Sequence, residues 1–206
     1  MTSAPIAQQR LLIDLQDLDS HLARLRHERK HLPVLTRIEA VIERLKANKR
    51  AAIQAEAALD EAKKQATRSE DEVGQVTRRA EVLRERLHSG TSAARDLSAI
   101  QGEIDQLGQR QSALEEAQIV AMEALDSARQ EAERLSREEA EIRAAGRDLT
   151  AKRDAEFARL DEEIESLENQ RADLAGTIET SLLADYEAVR TSTGGLGAVA
   201  LRGRTV

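Results

Sequence analysis

The sequence of 206 residues has no cysteine and no tryptophan, one phenylalanine (Phe157), one tyrosine (Tyr186) and two prolines (Pro5, Pro33). Lack of cysteine rules out disulfides and thiolate metal sites within these residues, and it fits a reducing compartment. Two large aromatics are too few to fill a rounded core. No apolar run reaches the roughly 20 residues of a membrane-spanning helix, and residues 1–10 carry no apolar signal-peptide core. The expectation is a cytoplasmic protein without a membrane partner. Charged residues make up 33% of the chain, with a net charge of −7 and both signs interspersed. That balance gives no general attraction to nucleic acid or anionic lipid. Abundant Ala, Glu, Arg and Leu suit a long helix or coiled coil, or a disordered chain; the spacing of the apolar residues favours the former.

After Pro5, which suits an early helical position, Leu11, Leu15, Leu18, Leu22, Leu25 and Leu32 keep alternating steps of 4 and 3, with Arg29 in the missing place. This is a coiled-coil seam, interrupted at Pro33, whose ring removes an amide hydrogen and crowds the preceding turn. A second seam runs without error from Val34 through Ile38, Val41, Leu45, Asn48, Ala52, Ala55, Leu59, Ala62, Ala66, Ser69, Val73, Val76, Ala80 and Leu83 to Leu87. Gly90 is suited to close the helix in a left-handed conformation, and Ser92 and Asp96 are candidate caps for the next one. The third seam runs from Leu97 to Leu149, shifts phase through Arg153 to Phe157 as a stutter, and resumes at Leu160, Ile164, Leu167, Arg171, Leu174 and Ile178.

Pairing positions whose numbers sum to about 184 sets Leu87 against Leu97, Leu83 against Ile100, and Ala55 and Ala52 against Ala128 and Ala132. The same register sets Ile38 against Gly146 and Leu25 against Leu160, and Pro33 falls level with the stutter. The predicted fold is all-α: a long antiparallel coiled-coil hairpin with a break at Pro33 opposite a stutter near Arg153. Its hairpin domain is residues 1–190, with arm one at 6–87, a tip at 88–96 and arm two at 97–190. Residues 191–206 are expected to be a flexible Gly-rich linker. A rival architecture pairs the heptads of two chains in parallel. The oligomeric expectation is a monomeric hairpin or a weak homodimer.

Three patterns suggest chemistry. His27-Glu28-Arg29-Lys30-His31 matches H-E-x-x-H, which in zinc hydrolases supplies two ligands and a base. Here no third-ligand motif follows, both histidines fall outside the seam, and a solvated helix face is the preferred reading. Gly195-Leu196-Gly197 imitates a dinucleotide-binding loop, but that loop needs a preceding strand. Carboxylate runs such as Glu138, Glu139 and Glu141 offer no buried acid of raised pKa. No enzyme activity and no cofactor within the chain are therefore expected.

Two stretches suggest binding. Residues 24–50 are rich in cations; Arg24, Arg26, Arg29, Lys30 and Arg37, with Arg202 and Arg204 in the tail, are candidate phosphate contacts. No aromatics are interleaved to stack bases, and pairing with the acidic second arm is the competing reading. The tip displays Arg95 and Asp96, with Leu97, Gln101 and Glu103 beside them, as a candidate contact for a protein partner.

The stretch Gly90–Glu116, with Arg95-Asp96-Leu97 followed by Gln101, Glu103 and Ile104, resembles the tip of the bacterial C4-type zinc-ribbon proteins that carry an N-terminal coiled-coil hairpin. The opening Leu11, Leu12, Leu15, Gln16 and Leu18 are similar too, as are Tyr186, Gly194-Gly195-Leu196-Gly197 and Leu201-Arg202-Gly203. The resemblance implies a Gly-rich lead into a zinc ribbon built on two cysteine pairs. Those cysteines are absent from this sequence, so zinc would be expected only where such a ribbon follows. It also implies an adaptor or nucleic-acid-binding role; some members are linked to flagellar or secretion systems and to an alternative sigma factor.

Overall fold

The structure, a computed structural model, describes residues 5–90 and 94–200. Four helices follow one another: α1 (Ile6–Lys30), α2 (Pro33–His88), α3 (Ala94–Gly176) and α4 (Thr180–Thr193). The chain divides into two compact units, Ile42–Ala144 and the pair Met1–Val41 with Ala145–Val206.

In the unit of residues 42–144, α2 and α3 pair antiparallel. Arg44 meets Glu138, Asn48 meets Leu135 and Arg79 meets Glu103, rising numbers against falling ones. The seam is thus closed within one chain, in the predicted register. None of the seam positions named above, on either arm, is exposed. Leu83, Ile100 and Ile104 form a buried cluster backed by Leu87 and Leu107. Asn48 and Ser69 are buried polar exceptions in the seam. Asn48 Nδ2 donates to the Leu135 carbonyl at 3.3 Å, while its Oδ1 is buried without a partner among the described residues. The α2 helix ends at His88, and Gly90 adopts φ +64°, the left-handed geometry that its lack of a Cβ permits. Ser92 lies outside the described residues. Asp96 sits in the first turn of α3.

In the second unit, Pro33 opens α2 after a two-residue break at His31 and Leu32. The His31 amide donates to the carbonyls of His27 and Glu28, and the Leu35 amide to that of Leu32. Leu25, Leu32 and Leu160 form a buried cluster with Val34, Leu35 and Phe157 against it. The break and the stutter therefore share one core. Phe157 also takes the Arg29 guanidinium 4.4 Å above its ring, a cation–π contact. Gly146 lies against Val41 rather than Ile38: a Cβ at Gly146 would be 3.5 Å from Val41 Cγ1.

The end of arm two differs from the expected helix to residue 190. The α3 helix stops at Gly176; Thr177, Ile178 and Glu179 make a break, and α4 runs on to Thr193. Gly176 propagates helix poorly, and Thr177 Oγ1 donates to the Leu174 carbonyl. The break buries Ile178 with Leu15 and Tyr186, and Leu11, Leu12, Leu174, Leu182 and Leu183 pack against that cluster. The short α4 is a third helix on the two-helix base. Among the described residues no helix is long and apolar enough to cross a membrane.

Candidate functional sites

At the tip, the cluster of Leu83, Ile100 and Ile104 supports the first turn of α3. Leu97 is half-buried on this support. Arg95 and Asp96 are exposed, and neither side chain makes a hydrogen bond or ion pair among the described residues. Gln101 donates to Asp105 Oδ1 one turn away at 3.0 Å, and Glu103 accepts from Arg79 Nε at 3.0 Å. The five predicted tip residues thus fall into two groups. Leu97, Gln101 and Glu103 serve the hairpin, and Arg95 and Asp96 stand free. Nearby His88 Nδ1 donates to the Arg84 carbonyl at 2.7 Å, which ties down the end of α2.

The basic stretch is partly neutralised. Arg26 pairs with Glu168, and Arg29 grips both oxygens of Asp161 at 2.6 and 3.0 Å. That hydrogen bond raises the pKa of the Arg29 guanidinium. Arg24, Lys30 and Arg37 are exposed and carry no carboxylate partner among the described residues. Arg202 and Arg204 lie outside the described residues.

The H-E-x-x-H segment is occupied by local structure. The rings of His27 and His31 stack 4.0 Å apart, and His31 Nδ1 donates to the His27 carbonyl. Glu28 accepts from Arg159 at 3.3 Å. Among the described residues no three His, Cys, Asp or Glu side chains are grouped to hold a metal.

A polar hub at the base, not predicted as a site, joins α1, α3 and α4. The Asp19 side chain is 1% exposed and accepts from Arg171 Nε at 2.7 Å and the Tyr186 hydroxyl at 2.8 Å. Arg190 Nε lies 3.2 Å from Asp19 Oδ2 but makes no hydrogen bond among the described residues. Arg171 also reaches Glu187. Burial, then the Asp19 hydrogen bond, pushes the Tyr186 pKa above its ordinary value. Hydrogen bonding to Asp19 raises that of Arg171. Beside the hub, a cleft of about 330 Å³ is lined by Arg26, Arg171 and Arg190 and by Asp19, Glu168 and Glu187; three charges of each sign leave it no net pull on an ion. Two sequence signals point to the hub: Arg171 occupies a seam position, where a cation needs a buried partner, and Tyr186 is the only tyrosine.

Residues 15–194 match the family model of the CT398-like coiled coil hairpin domain. Two uncharacterized proteins of Mycobacterium tuberculosis, from strains CDC 1551 and H37Rv, are each 34% identical over 207 residues, covering 97% of this chain and 81% of the relative. A solved structure from Mycobacterium smegmatis aligns with a TM-score of 0.76 at 26% identity, over 93% of this chain and 80% of the other. The HP0958 protein of Helicobacter pylori shares the fold, with a TM-score of 0.53 at 16% identity over 92% and 78% of the two chains. The chain belongs to the CT398-like coiled coil hairpin family.

Proposed function

We propose that this member of the family is a non-enzymatic adaptor that binds a protein partner through the hairpin tip. The observation that carries the reading is the pair Arg95 and Asp96: adjacent, opposite in charge, exposed, and unengaged among the described residues at the start of α3. An exposed charge on a buried apolar support contributes little to folding and is placed to meet complementary charges on a partner. The test is affinity capture with the full chain and with an Arg95→Ala, Asp96→Ala double variant of equal helicity, with captured proteins identified by mass spectrometry. A partner retained by the parent and lost by the variant supports the tip. Identical recovery by both proteins sinks it.

Nucleic-acid binding is a second reading, favoured by Arg24, Lys30 and Arg37, which are exposed and without a carboxylate partner among the described residues. Its mark is affinity that falls steeply with salt as counterions are displaced. Replacing the three cations by Ala should flatten that slope; no retention of RNA or DNA at low salt removes the reading for this chain. A zinc ribbon carried beyond the Gly-rich segment would add contacts of this kind. Intact mass and zinc content of the natively expressed protein test for it.

A further inference from the structure

We infer that Gln16 and Tyr186 form a clamp that reads peptide backbone, and that its resident ligand is the chain's own segment 195–198. The Gly-rich stretch leaving the base is then a rigid joint, not a tether. This goes beyond the tip-binding reading and does not depend on it.

Gln16 is 6% exposed, and both ends of its carboxamide are engaged. Its Oε1 accepts from the Gly197 amide at 2.6 Å and the Ala198 amide at 3.3 Å, and lies 3.3 Å from the Tyr186 hydroxyl, whose one proton goes to Asp19. Its Nε2 donates to the Gly195 carbonyl at 3.0 Å and to Ser20 Oγ at 2.9 Å. One side chain on α1 thus reads three backbone groups of a segment about 180 positions away. The contacts also assign the amide, because a flipped carboxamide would set donor against donor.

Each glycine of the segment has a conformational task. Gly194 caps α4 at φ +75°, and Gly195 lies at φ +133° with its amide donating to the Arg190 carbonyl at 2.8 Å. Gly197 lies flat on the Tyr186 ring, where a Cβ would come within 2.6 Å of Cδ2. Between them, Thr193 Oγ1 donates to the Leu196 carbonyl at 2.6 Å and accepts its amide at 3.0 Å. Ala198 packs on the base cluster of Leu15, Ile178 and Tyr186. Glycine usually signals flexibility in a linker. Here it permits left-handed backbone and close approach, and the polypeptide beyond the segment departs from a fixed point beside α1.

The chain has no cysteine, so single labels are unambiguous. A nitroxide at Val199→Cys, where the side chain is 72% exposed, is compared with one at Val82→Cys on α2, 62% exposed. The expected spectrum at 199 is as restricted as that at 82. Gln16→Leu, of similar volume but without donor or acceptor, should narrow the spectrum at 199 severalfold and leave 82 unchanged. Gly197→Ala should do the same. A freely mobile label at 199 in the parent, or one that Gln16→Leu does not alter, overturns the clamp. If Gln16→Leu fails to fold, amide hydrogen exchange on the parent decides: Gly197 and Ala198 should be protected, and exchange at the rate of an open chain refutes the inference.

Discussion

The Tyr186 hydroxyl donates a 2.8 Å hydrogen bond to Asp19 Oδ2, joining α4 to α1. Tyr186→Phe keeps the ring against Leu15 and Ile178 but leaves a buried carboxylate one donor short. A loss of about 1–3 kcal/mol is expected, read as a lowered midpoint in urea with an unchanged slope.

The same pair predicts a response to alkaline pH. The folded pKa of Tyr186 is raised above its unfolded value of about 10. Above pH 10 the unfolded chain loses this proton first, so the stability that the neutral hydroxyl confers below pH 10 declines as pH climbs towards the folded value. The fall in Tm above pH 10 should be shallower in Tyr186→Phe than in the parent. Parallel curves would mean that Tyr186 does not contribute.

Asp19→Ala removes the carboxylate on which Arg171, Arg190 and Tyr186 converge. Breaking a buried ion pair from one side costs about 3–5 kcal/mol. The guanidinium groups remain about a quarter exposed, so a value near 3 kcal/mol is expected. Hydrogen exchange should quicken in α4, while Leu83, Ile100 and Ile104 keep their protection.

Asn48→Leu should raise Tm, because it removes a buried Oδ1 that has no partner among the described residues and adds apolar contact at a seam position. A gain of about 1–2 kcal/mol is expected. A polar seam residue restricts register and association, so the variant should also show more self-association by light scattering. A lower Tm would show that the bond to the Leu135 carbonyl outweighs the orphaned oxygen.

Leu160→Ala tests the core shared by the break and the stutter. Leu160 is fully buried against Leu25 and Leu32, and its truncation should cost about 2–5 kcal/mol. Ile119→Ala, at a side chain 57% exposed, should change stability by less than about 0.5 kcal/mol. Chemical denaturation of the two variants separates them.

The periodic part of this protein was legible in the sequence. Alternating steps of 4 and 3 put Val34 to Leu87, Leu97 to Leu149 and, past the stutter, Leu160 to Ile178 on shielded faces, because a seam of two helices is a local, repeating requirement. Register was legible for the same reason: large residues need room and small ones permit approach along the whole length. The tip was legible only as a place. That Glu103 serves Arg79 while Arg95 and Asp96 have no partner among the described residues depends on which side chains of α2 and α3 come within reach of one another.

The tertiary structure alone decided the base. Nothing periodic distinguishes Asp19 and Gln16 from other polar residues on α1, and nothing in Thr177 to Glu179 is a strong breaker. Their roles arise because residues 167 to 182 positions apart meet at one place. Glycines at 194, 195 and 197 read as flexibility in one dimension, yet in three they answer to φ angles and to the face of a tyrosine ring. A repeating apolar pattern specifies a seam by summing many equivalent contacts, whereas a single buried polar hub is specified by unlike partners that only the folded chain brings together.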